Sequence, residues 1–465
     1  MNATLAGLLL YVVLITAVGL AIGRRVSGTR DFFVAGRALG PGLLFATLLA
    51  ANIGAGSTVN AAGLGYQNGI AAWWWVGSAG IGTLVLAFWL GPRMWRVARE
   101  HSLRTVGDYL ELRYGPSVRA SMAALLWLGT LAILAGQLIA MAWILEVVAG
   151  APKWLGAVAG GLVMTVYFMA GGLLSSAWVN LVQLVVLVAG FLIAVPLALE
   201  GAGGFAAVLE NARATPGHLD FMSSGDSGWP YLILLAPAFI VSPGILQKTF
   251  GARDVRTVRL GLGACGVALL LFAILPPFLG MIAHVVAPGL DNPETALPEI
   301  LTRGVPAWAG LLGLAAVLSA EISSADAILF MLSTSLSKDL YKRFARPDAT
   351  DAQVLRMARI AAVAGGSAGV LLAVIIPTVV DALTIFYSLL GVSLFVPIVA
   401  GLHSRRPGPA EALAAAAAGM LALLVARQWG SGPAWMVPSA WGLLSAATAY
   451  GVFFAARRIG RTASP

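Results

Sequence analysis

Long apolar stretches alternate with short basic segments along the whole chain, and that alternation limits what it can become. An apolar run of about 20 residues crosses a bilayer as a helix. Thirteen such spans are present, at about 5–22, 42–65, 71–92, 120–149, 154–171, 174–199, 229–246, 260–287, 306–335, 358–377, 382–402, 410–427 and 435–456. They are too long and too uniformly apolar for the alternating strands of a membrane barrel. The expected fold is therefore an all-α polytopic membrane protein, a single domain over 1–465. Charged residues make up 11% of the chain, against roughly 25% in soluble domains. A soluble fold is excluded on that ground.

The loops test the span count. With the N-terminus outside, the inner loops are 23–41, 93–119, 247–259, 336–357, 403–409 and the tail. These loops and the adjoining helix ends hold 25 of the 29 Lys and Arg residues. The outer side and its borders hold Lys153, Arg213, Arg303 and Arg427. Such a bias marks cytoplasmic loops, so the C-terminus is expected inside a cell membrane, as in a bacterial plasma membrane. Leu5–Ile22 is long for a signal peptide and its charges, Arg24 and Arg25, follow it, so it reads as a first helix. A short interfacial helix is expected around Thr105–Arg113. The outer loop at about 200–228 is polar and Gly-rich.

Several function classes fall away. The net charge of +9 comes from residues between apolar spans, which argues against nucleic-acid binding. The single cysteine, Cys265, permits no internal disulfide. The four histidines lack metal-ligand spacing, and no nucleophile–base constellation suggests an enzyme.

Breaks in the helices point to a site. Ions and polar solutes need oxygen ligands at mid-membrane, which unwound helix segments supply. The second span reads Leu49-Ala50-Ala51-Asn52-Ile53-Gly54-Ala55-Gly56-Ser57, and its glycines and Asn weaken the helix. The seventh reads Ala236-Pro237-Ala238-Phe239-Ile240-Val241-Ser242-Pro243-Gly244, and its prolines free backbone carbonyls. The two lie five spans apart, so spans 2–6 (about 42–199) and 7–11 (about 229–402) suggest two five-helix repeats. A kink serving packing alone is the bland alternative for either span.

The ninth span is the most polar, Ala320-Glu321-Ile322-Ser323-Ser324-Ala325-Asp326. A carboxylate within a membrane helix costs on the order of 2.5–3.5 kcal/mol on insertion scales. Ser323 and Asp326 share one helix face, and Glu321 and Ser324 form a second pair. Glu321 points either to a function or to a helix–helix contact. Gln137, Asn180 and Gln183 are further mid-membrane amides, for which interhelical hydrogen bonding is the plainer role. Trp73-Trp74-Trp75 reads first as an interfacial anchor and second as a cavity wall. No strong fixed cation stands near the breaks.

These residues carry a resemblance. The chain resembles the sodium/solute symporter family, which includes bacterial proline, sialic acid and pantothenate permeases and the sodium/glucose cotransporters. The matching blocks are Asp31-Phe32-Phe33-Val34-Ala35-Gly36-Arg37, Ala50-Ala51-Asn52-Ile53-Gly54, Gly171-Gly172 with Asn180 and Gln183, Gln247-Lys248-Thr249-Phe250, and Ser323-Ser324 followed by Asp339-Leu340-Tyr341. The resemblance implies a LeuT-like fold of two inverted five-helix repeats with one leading and two trailing helices. It implies a sodium site of the Ala50, Ile53 and Ala320 carbonyls and the Ser323 and Ser324 hydroxyls. It implies a solute beside Asn52, Ser57, Gln137, Phe239 and Ser242. Relatives with a second sodium site have Asp where Asn180 stands and Ser or Thr where Asp326 stands. Asp326 with Asn180 is thus a candidate second cation or proton site.

The expected function is sodium-coupled symport of a small organic solute by alternating access, with no cofactor beyond co-transported sodium and with a monomer as the working unit. A proton-coupled symporter of the same fold and a membrane sensor that binds solute without moving it are the alternatives.

Overall fold

The computed structural model describes residues 3–23, 39–169, 173–404, 407–429 and 436–462. The family-like blocks Asp31–Arg37 and Gly171-Gly172 lie outside the described residues. Helix α1 spans Ala3–Gly23 and α2 Pro41–Asn52. A π turn, Gly56–Asn60, leads into α3, Ala61–Asn68, and α4 is Trp73–Val85. Helix α5 (Gly91–Glu100) continues α4 through a second π turn, Leu86–Leu90. The interfacial helix expected around Thr105–Arg113 is α6, Val106–Tyr114, closed at its start by a capping box of Thr105 and Asp108. Then follow α7 (Pro116–Ala149), α8 (Lys153–Met169) and α9 (Leu173–Gly201).

The segment at about 200–228, expected as an outer loop, carries local structure. It holds α10 (Gly204–Ala214) and a hairpin of β1 (Ser223–Ser224) and β2 (Ser227–Gly228), the only strands among the described residues. The second half of the chain brings α11 (Tyr231–Val241), α12 (Pro243–Phe250), α13 (Val255–Phe272), α14 (Leu275–Val286) and α15 (Ala296–Arg303). It closes with α16 (Ala307–Thr334), α17 (Asp351–Ile375), α18 (Val379–His403), α19 (Pro409–Trp429) and α20 (Pro438–Thr462).

Ten helical stretches among the described residues are long and apolar enough to cross a membrane, with shorter apolar stretches at Ala3–Val18, Pro41–Asn52 and Lys153–Val166. Burial sorts them. In α16 and its continuation 94% of the apolar window is inside the protein, but only 28% in α20. Helix α16 is therefore the central post, and α20 lies at the periphery, facing the surroundings with residues such as Val452 and Phe453.

Close backbone contacts hold the centre. A Cβ on Gly280 of α14 would sit 1.9 Å from the Ala62 carbonyl oxygen of α3, and one on Gly65 2.2 Å from the Pro277 oxygen. Two helices approach this closely only where side chains are absent.

One expectation from the loops needs correction. Lys248 was counted with the inner loop 247–259. Helix α12 runs on to Phe250, and Lys248 is only 2% exposed. It is a buried charge and carries no topology signal.

Candidate functional site

Both predicted breaks are present. Helix α2 stops at Asn52 because Ile53 turns extended, with φ −101 and ψ 108. The chain resumes its helical course at the π turn beginning at Gly56. The loosened groups find local partners: the Ser57 hydroxyl donates to the Asn52 carbonyl at 2.8 Å, and the Thr58 hydroxyl to that of Gly54 at 2.9 Å. In the second break Ser242 (φ −52, ψ 119) separates α11 from α12, and Pro243 opens α12 without an N–H to offer.

The central helix α16 docks onto the first break through its serines. The Ser323 hydroxyl lies 2.8 Å from the Ala50 carbonyl oxygen and 3.0 Å from that of Ala320. The Ser324 hydroxyl donates to the Ile53 carbonyl at 2.9 Å and reaches the Ala51 and Ala50 carbonyls at 3.3 and 3.5 Å. The five residues named for a sodium site thus bring five neutral oxygens together across two helices. Gly54 allows the approach, because a Cβ there would lie 2.4 Å from Ser324 Oγ and 2.6 Å from Gln137 Oε1. Neutral hydroxyls and carbonyls are the donors a hard monovalent cation prefers, by analogy with the oxygen ligands of other hard cations.

A cavity of about 70 Å³ lies between the two breaks. At roughly 10–15 Å³ per water on this measure it has room for about five waters, or a solute of a few heavy atoms. Asn52, Ser57, Gln137, Phe239 and Ser242 all line it. Gln137 also accepts the Ala55 N–H at 2.9 Å and so caps the start of the second half-helix. Trp75 is 3% exposed and lines the cavity, so one of the three tryptophans is a wall, while Trp73 and Trp74 pack on Phe221 of the 200–228 segment.

Sequence reasoning missed Tyr387, which stands against both Trp75 and Phe239, and it missed Lys248. Lys248 lines the same cavity, so the expectation that no fixed cation stands near the breaks is overturned. Its one clue was the position five residues after Pro243 within the helix that the second break opens.

The other candidates divide between two places. Glu321 is fully buried and accepts the Thr58 hydroxyl at 2.9 Å, so it belongs to the first break. Asn180 donates to the Thr47 hydroxyl at 3.4 Å, one turn and more before that break. The Thr47 carbonyl takes the Lys248 ammonium at 2.9 Å, and Asp326 acts electrostatically on the same ammonium. Gln183 is buried, and neither atom of its amide has a hydrogen-bond partner among the described residues.

On the α6 side of the protein, Arg119 forms a second polar centre with Asp108 (3.0 Å), Glu111 (2.8 Å) and Asp339 (2.6 Å). Lys338 and Arg343 extend it. Burial pushes the Asp108 carboxyl up, but the adjacent Lys338 and Arg119 charges outweigh this and hold it below the usual range. Arg343, hydrogen-bonded to Glu111, lowers that carboxyl too.

Known proteins can now be set beside this geometry. The sodium/glucose cotransporter of Vibrio parahaemolyticus is 26% identical over 396 residues, spanning 76% of this chain and 71% of the relative. The sodium/pantothenate symporter of Escherichia coli (strain K12) is 27% identical over 441 residues, spanning 88% and 87%. The fold matches that of a Na+-coupled sialic acid symporter solved in a substrate-bound outward-open state, with a TM-score of 0.84, 17% identity and 97% coverage of each chain. The model of the sodium:solute symporter family matches residues 32–419, and the chain belongs to that family.

Proposed function

We propose that this protein is a sodium-coupled secondary active symporter that moves a small organic solute by alternating access. The observation that carries the proposal is the convergence of the Ala50, Ile53 and Ala320 carbonyls with the Ser323 and Ser324 hydroxyls at the first break. Sodium bound there would tie α2 to the central helix α16. The solute would occupy the neighbouring cavity, held by Asn52, Ser57, Gln137 and Ser242 against Phe239. Binding of each must favour the other, because the coupling is reciprocal.

The ten long spans together with the three shorter apolar stretches fit thirteen crossings. They fit two inverted five-helix repeats, at about 42–199 and 229–402, with one leading and two trailing helices. The basic loops favour an N-terminus outside and a cytoplasmic C-terminus in the plasma membrane. The family resemblance favours a monomer as the working unit. A proton-coupled cycle is the second reading, and Glu321 favours it: a fully buried carboxylate at the break could carry a proton between the two faces.

Thermal stability of the purified protein in sodium chloride against potassium or choline chloride at equal ionic strength tests the proposal. A ligand at 100 times its dissociation constant stabilises by roughly 2.7 kcal/mol. The expected result is a sodium-specific shift that disappears in Ser323→Ala/Ser324→Ala. A shift with protons alone, abolished by Glu321→Gln, would favour the second reading.

A further inference from the structure

A buried ammonium persists only where its charge and its N–H donors are met. Lys248 of α12 is 2% exposed, and its Nζ donates to the Thr47 carbonyl of α2 at 2.9 Å. A carbonyl satisfies a donor but not a unit charge. Among the described residues, the formal charge that acts on Lys248 is that of Asp326, on α16 and 4% exposed. Two further groups of this cluster are neutral: Cys265 of α13, which also acts on Lys248, and Asn180 of α9, which shares Thr47 through its hydroxyl. Apart from Lys248, this cluster offers oxygens of a carboxylate, a backbone carbonyl, a hydroxyl and an amide, drawn from three helices. That is a ligand set for a hard cation. Asp326 also lies three residues after Ser323, one turn along α16, so the cluster adjoins the proposed sodium site.

An ammonium and a sodium ion carry the same charge and seek the same oxygens. Like charges in one small buried site repel strongly, so the site takes one or the other. We propose that the Lys248 ammonium is the resident cation of this second site. A tethered side chain stands where a second transported ion would otherwise bind, and each chain carries one sodium. Lys248 is then committed to Asp326 and does not recognise the solute. This inference rests on the sodium-symport reading above.

The test is equilibrium binding of radiolabelled sodium to the purified full chain, with choline as the replacing cation. Wild type should bind one sodium per chain with a Hill coefficient of about 1. Lys248→Ala should bind two, and the additional ion should be lost in Lys248→Ala/Asp326→Asn. Asp326→Asn alone should keep a stoichiometry of one. That measurement decides the matter even where Lys248→Ala fails to fold, because loss of sodium binding in Asp326→Asn would make Asp326 a sodium ligand and overturn the proposal. Two ions in wild type, or one in a folded Lys248→Ala, would also overturn it. Wild type that binds no sodium sinks the symport reading instead; a sodium gained by Lys248→Ala in that case would still support the tethered cation.

Discussion

Gly54→Ala is the smallest change that should separate the central helix from the first break. The added Cβ would meet Ser324 Oγ at 2.4 Å and Ser324 Cβ at 2.6 Å, where ordinary contact begins at 3.4 Å. Relief therefore requires about 1 Å of movement, the difference between 3.4 and 2.4 Å. Rotating the hydroxyl away does not help the Cβ, which is fixed to the α16 backbone. An added 1 Å carries Ser324 Oγ and the Ile53 carbonyl from 2.9 Å to about 3.9 Å, beyond a hydrogen bond. Overpacking of this kind costs about 1–3 kcal/mol, and the lost bond adds about 1 kcal/mol. Spreading the proposed sodium ligands by the same distance should weaken ion binding by roughly 10- to 100-fold, at about 1.4 kcal/mol per decade. The assay is a sodium titration followed by thermal stability, with Gly42→Ala in α2, the helix that leads into the break, as control, since nothing lies within 4 Å of its Cβ. A Gly54→Ala protein that melts like the control and keeps its sodium midpoint within about twofold would refute the assigned role of this contact.

Gly280→Ala should destabilise by about 2 kcal/mol or more, because its Cβ meets the Ala62 backbone at 1.9 Å, where only helix displacement gives relief; thermal melting checks it. Arg119→Gln should cost about 3–5 kcal/mol by leaving the buried Asp339 without the guanidinium paired with it, while Asp108 keeps Lys338, and an unchanged melting point would exclude that accounting. For acid pH the sign follows from the depressed Asp108 and Glu111 carboxyls. Their contribution to stability is complete above the ordinary carboxylate range and falls away as pH drops through the lower folded values. Melting points should therefore be flat near neutrality and decline below about pH 4, with a smaller decline in Asp108→Asn.

The architecture was legible because lipid imposes a length and an apolar character that the sequence displays directly. The breaks were legible for a related reason: Gly54, Gly56, Pro237 and Pro243 are costly inside a helix, and two such places five spans apart stand out. Ser323 and Ser324 were found beside the carboxylates that made their helix polar. Lys248 was not found, because a lysine near a helix end has the same appearance whether it faces lipid headgroups or the interior. Only the extent of α12 separates those cases. Tyr387 was equally silent, since an aromatic in an apolar span carries no mark of the direction it faces. Trp75 shows the limit in a milder form: three adjacent tryptophans suggest an interface, and helix rotation sends one of them inward.

The hydroxyls of Ser323 and Ser324 bond to carbonyls that the ion would also use, and this bears on the half of the cycle in which nothing is carried. Carbonyls bared within hydrocarbon cost several kcal/mol each, so a carrier that had to return with such groups open would stall after unloading. If sodium binds as proposed, the serine protons would step in as the ion departs, and the vacated groups would rest on each other. The same bonds compete with an arriving ion. At about 0.5–1.5 kcal/mol for each of two, they would lower the affinity of the proposed site by roughly 5- to 150-fold compared with a bare set of oxygens. Weak holding and an easy empty return would be two results of one arrangement.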